Sequence, residues 1–193
     1  MEKKRIVILA SGGGSNAAKI LEYFQSKEQA EFVLVGSNRR EAGVAAHAKR
    51  FVVPMLFFTK AEMEEGQVQK LLQNLGTDLI VLAGFLLKIP EALVEAFPNK
   101  IINIHPALLP KYGGNGMYGM NVHQAVKAAG EKESGITIHY VNQHYDEGQI
   151  IFQATTALET SDTPEIIAKK VLALEHEHFA KVIESILEQW ILI

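Results

Sequence analysis

Arg5-Ile6-Val7-Ile8-Leu9-Ala10-Ser11-Gly12-Gly13-Gly14-Ser15-Asn16-Ala17 is the stretch that decides how this chain folds. A short β-branched run breaks into three glycines and then into a helical pattern over 16–25, which reads as a strand handing over to a helix. Strand-like runs at 31–37, 53–58 and 79–83 then alternate with helical patterns at 42–50, 61–75 and 90–96. This βαβα order builds a mostly parallel sheet covered on both faces, and right-handed crossovers make it doubly wound.

Residues 101–104 read as another buried strand, and the glycine-rich run Lys111-Tyr112-Gly113-Gly114-Asn115-Gly116-Met117-Tyr118-Gly119 as a loop. A helix over 122–129 follows, then two strands, 135–141 and 149–156, expected to pair antiparallel. Thr163 caps a long last helix that has Pro164 in first place and Glu165 near its positive end. The expected fold is α/β, a doubly wound, mostly parallel twisted sheet with helices on both faces and an antiparallel strand near the C-terminal end, in a single domain over 1–193.

A chain of 193 residues, 48% apolar, can bury roughly 70% of its unfolded surface, and no apolar run approaches the ~18 residues of a membrane span. The basic start Met1-Glu2-Lys3-Lys4-Arg5 precedes too short an apolar stretch for a signal peptide. With no cysteine, disulfides and thiolate metal sites are excluded, and the expected location is cytoplasmic. The net charge of −3 and the scattered basic residues give no reason to expect a nucleic-acid or membrane partner.

A glycine turn at a helix start offers free N–H groups and a positive dipole end to an anion, so a phosphate is the natural ligand of Gly14, Ser15 and Asn16. Gly12, Gly14 and Ala17 also fit a loose dinucleotide fingerprint, but the second strand ends Gly36-Ser37-Asn38-Arg39, without the acid that would hold a ribose. A monophosphate is favoured over NAD, and a turn without ligand stays open.

Asn103 and His105 alternate at the end of the fifth strand run, at the sheet edge where open α/β folds bind ligands, so both side chains address one side. Asp146 lies in a polar segment between two strands, either as a partner of His105 or as a turn residue bonding its own backbone. An amide, an imidazole and a carboxylate suit acyl transfer. A metal hydrolase built from His105, His139 and Asp146 is the chemical competitor, but there is no HExxH, and His176 and His178 do not share a helix face. No metal is expected. His139 lines the site or faces solvent, His123 and His144 lie near the cleft without a role, and His47, His176 and His178 are surface or packing residues.

Gly135-Ile136-Thr137-Ile138-His139-Tyr140-Val141-Asn142 through Asp146-Glu147-Gly148-Gln149-Ile150-Ile151-Phe152-Gln153 resembles the signature of the folate-dependent formyltransferase family. Asn103-Ile104-His105-Pro106-Ala107-Leu108-Leu109-Pro110, Ser11–Asn16, Ser37-Asn38-Arg39 and Leu82-Ala83-Gly84-Phe85 agree with it. The resemblance runs from Ile6 to about Ile186 and implies a Rossmann-like fold. It implies 10-formyltetrahydrofolate as donor and the amine of glycinamide ribonucleotide as acceptor; the sequence does not reveal oligomeric state, and a monomer or homodimer is expected.

By that resemblance Asn103, His105 and Asp146 are catalytic: Asn103 and protonated His105 meet the oxyanion, and Asp146 keeps His105 charged. Gly14, Ser15 and Asn16 hold the acceptor's phosphate, and Glu175 lies near the acceptor. Leu86, Leu87, Lys88, Ile89, Asn103, Asn142, Gln143, His144 and Tyr145 form the folate pocket. The run Gly113–Met120 departs from the family's proline-glycine-leucine-histidine pattern, His123 has an uncertain register, and Lys60 is the one candidate for an early basic residue of the third helix. Relatives with a tRNA acceptor or a hydrolytic outcome carry extra domains for which these residues contain no sequence.

Overall fold

The computed structural model describes residues 3–191. Met1 and Glu2, part of the basic start, lie outside them. Seven strands form one sheet: β1 (Lys4–Leu9), β2 (Ala30–Ser37), β3 (Met55–Phe57), β4 (Leu79–Leu82), β5 (Ile101–His105), β6 (Glu133–Tyr140) and β7 (Ile150–Ala157). Their spatial order is β3-β2-β1-β4-β5-β6-β7. The first five are parallel, whereas β6 runs antiparallel to β5 and β7 antiparallel to β6.

Both faces of β1 are apolar because both are covered. Ile6 and Ile8 enter a core with α1 (Ser15–Phe24), α6 (Met120–Ala128) and α7 (Pro164–Ile191). Val7 and Leu9 enter a second core with α3 (Lys60–Glu64), α4 (Gln67–Asn74) and α5 (Glu91–Ala96). Ile6, Val7, Ile8 and Leu9 are all fully buried, and truncating one of them to alanine costs about 2–5 kcal/mol. A short helix, α2 (Val44–Arg50), packs beside α1.

One expected element is corrected. The single helix over 61–75 is two, α3 and α4, separated at Gly66, whose φ of 79° is left-handed and ends a helix. A capping box between Thr59 and Glu62 starts α3.

Candidate active site

Main-chain contacts between the parallel strands continue past their carboxyl ends, where Ala10 N–H donates to Gly36 and Ser11 N–H to Gly84. The connections open there into a cavity of about 520 Å³. Asn16, Leu86, Leu87, Lys88, Ile89, Asn103, His105, Asn142, His144, Tyr145, Asp146 and Glu175 all line it. Gln143, Gly14 and Ser15 are not among the lining residues, and neither is Lys60, which is exposed and paired with Glu64.

β5 carries Asn103 and His105 into this cavity. His105 is buried, with Nε2 2.7 Å from the Tyr112 carbonyl and Nδ1 3.5 Å from Asp146 Oδ2. A carbonyl only accepts, so Nε2 carries hydrogen. Burial pulls the imidazole below its ordinary pKa, opposed by the Asp146 charge and the Tyr112 carbonyl. Asp146 is thus the group that favours the charged ring, against the effect of burial.

Asp146 adopts a left-handed φ of 56° in the turn between β6 and β7. Burial alone would raise its pKa, but the facing His139 and His105 rings and the Gly114 N–H, 3.0 Å from Oδ2, bring it below the usual value. Gly113 is there for space: a Cβ would come 2.6 Å from Leu109 Cδ2 and 3.2 Å from Asp146 Cβ. Tyr112 and Lys111 both bind Glu131, which anchors the start of this loop.

His139 completes the site. The antiparallel register sets it opposite Asn103, and its Nε2 lies 3.2 Å from Asn103 Nδ2 and 3.6 Å from Asp146 Oδ1. Its Nδ1 faces the Tyr140 carbonyl at 2.9 Å, so Nδ1 carries a hydrogen, and Nε2 stands between the Asn103 amide and the Asp146 carboxylate. Asn103 keeps its second amide hydrogen for a ligand. Sequence reasoning left His139 between site and solvent, since only the strand register decides it. Thr137 holds the chain after His105, donating to the Ala107 carbonyl and accepting from Leu109 N–H.

Across the cavity, Asn16 donates to Glu175 at 2.5 Å, joining α1 to α7. Burial raises the Glu175 carboxyl, opposed by the Asn16 bond. Asn16 Oδ1 is buried without a partner, and Gly14 opens α1 with no side-chain cap, leaving helix N–H groups free near an exposed Ser15. Gly14 has a φ of 76°, and a Cβ there would strike Val44. His123 also lines the cavity, buried, with Nδ1 unpartnered and its pKa lowered by burial. Among the described residues, no group of three or more His, Cys, Asp or Glu is placed to hold a metal ion.

The formyl transferase family profile matches residues 4–183. The chloroplastic phosphoribosylglycinamide formyltransferase of Arabidopsis thaliana is 41% identical over 97% of this chain and 66% of its own length. That of Vigna unguiculata is 37% identical over 98% of the chain and 62% of its own, so the chain spans just under two thirds of these plant relatives. The Bacillus subtilis enzyme of the same name is 35% identical over 95% of each. Among solved structures, phosphoribosylglycinamide formyltransferase from Anaplasma phagocytophilum superposes with a TM-score of 0.89 at 34% identity, covering 97% of this chain and 89% of that one.

Proposed function

From a chain that belongs to the formyl transferase family, we propose an enzyme that moves the formyl group of 10-formyltetrahydrofolate to the amine of glycinamide ribonucleotide, giving formylglycinamide ribonucleotide and tetrahydrofolate in purine biosynthesis. The observation that carries this reading is the convergence of Asn103, His105 and Asp146 in one cavity between Asn16–Glu175 and Leu86–Ile89. The donor lies along Leu86–Ile89 and Asn142–Tyr145. The acceptor's phosphate meets Gly14, Ser15 and Asn16, and Glu175 lies near the acceptor.

The amine attacks the formyl carbon, and the carbonyl oxygen becomes an oxyanion. The free hydrogen of Asn103 Nδ2 donates to it, and His105 Nε2–H does so on leaving the Tyr112 carbonyl. Asp146 favours the charged His105 ring and takes the proton released by the amine, directly or through water. It then returns that proton to the departing folate nitrogen, so no net proton is consumed.

The chain works as a single cytoplasmic domain on two small molecules, as a monomer or homodimer, without nucleic acid or membrane. Among the described residues no helix is long and apolar enough to cross a membrane. Folate absorbance followed with and without glycinamide ribonucleotide tests the reading. Turnover that needs the acceptor is expected; acceptor-independent turnover would mean a hydrolase.

A further inference from the structure

The motif Ser37-Asn38-Arg39 closes β2 without the acid of a dinucleotide site, and the mechanism above gives it no task. A polar relay starts there. Ser11 Oγ, on a residue 1% exposed, donates to Asn38 Oδ1 at 2.6 Å and accepts from the Leu86 N–H at 2.9 Å. The relay crosses the carboxyl ends of the three neighbouring strands β2, β1 and β4.

Leu86 follows Gly84, whose φ of 73° turns the chain after β4. Past that turn the Leu86 N–H meets no main-chain carbonyl among the described residues and ends on the serine. A hydroxyl has one hydrogen, and Asn38 takes it, which fixes the oxygen's lone pairs toward Leu86. The height of the Leu86–Ile89 wall over the cavity is thus set from β1 and β2.

We infer that Ser11 is a positioning residue for the donor-binding wall, with Asn38 orienting it. This rests on the assignment of Leu86–Ile89 to the donor. The hydroxyl does not line the cavity, so it acts through the Leu86 main chain. Its neighbours Gly12 to Asn16 lead to the acceptor side, and the two sides therefore give different readouts.

The test is steady-state kinetics with each substrate varied in turn. Ser11→Ala raises the donor KM about five- to tenfold, the effect of one lost buried hydrogen bond, and leaves the acceptor KM within twofold. Asn38→Ala, at a half-buried position that tolerates change better, shifts the donor KM in the same direction. Asn38→Asp keeps an oxygen for the serine and restores it, and the Ser11→Ala/Asn38→Ala pair is no worse than Ser11→Ala alone because the two act in series. An acceptor KM rising as much as the donor KM, or an unchanged donor KM in an enzyme that turns over normally, overturns the inference while leaving the functional reading intact. No acceptor-dependent turnover in the unsubstituted chain overturns that reading and the inference with it.

Discussion

Asp146 Oδ2 stands 3.5 Å from His105 Nδ1, and the other face of the same ring system is closed by a main-chain carbonyl 2.7 Å from Nε2. A ring so held carries hydrogen at Nε2, and its other nitrogen faces a carboxylate.

Asp146→Asn removes the charge that faces His105, while keeping the shape of the turn. Turnover falls at least a hundredfold, within the roughly 10²–10⁴ range of acid–base catalysis, and both substrates still bind. Calorimetric titration beside single-turnover rates checks it; a near-native rate would make Asp146 structural.

Gly113→Ala pushes a methyl group into Leu109 and the Asp146 side chain. Its backbone lies outside the left-handed region, so alanine suffers only that crowding. Displacing the carboxylate by a few tenths of an ångström lowers kcat about tenfold with a smaller change in either KM. Equal kcat values would show that the loop yields instead.

Stability should fall as pH rises, through Glu175. Its folded pKa is raised above the unfolded value near 4.3, so the folded chain binds more protons there and the slope of stability with pH is negative. The contribution is complete below the unfolded pKa and is lost as pH climbs through the raised folded one. Glu175→Gln keeps an acceptor for Asn16 and cannot ionise, so its melting temperature at pH 8 exceeds that of the parent by roughly 2–4 °C, with little difference at pH 4. Thermal melts of both proteins at the two pH values decide the matter.

Val52 is 88% exposed and has a φ of 58°, a left-handed conformation that a β-branched side chain resists. Val52→Asn relieves that strain far from the cavity and stabilises the protein by about 1 kcal/mol without altering kcat. Denaturant unfolding is the direct measurement, and an unchanged midpoint would count against strain at this turn.

The parallel half of the fold was legible because β1 and β4 are apolar on both faces, a pattern that two flanking layers require. The end of the expected third helix was misread since the apolar spacing continues across Gly66, and only the left-handed backbone there shows the break. Asn103 and His105 could be placed at a sheet edge from their alternation. That His139 faces Asn103 depends on the pairing of β5 with β6, a property of two strands together. The needs of Gly113 and Gly148, where a Cβ would meet Asp146 or the Tyr140 carbonyl, arise from chain segments distant in sequence.

The Asn16–Glu175 bond links residues 159 positions apart. A chain emerging from a ribosome carries the glycine turn before α1 and β5 early, and its first five strands can pair while the remainder is still being made. It then has neither the carboxylate beside His105 nor the last helix, whose Glu175 lines the cavity. The cavity thereby lacks part of its wall in every such intermediate and is complete only once α7 has been made.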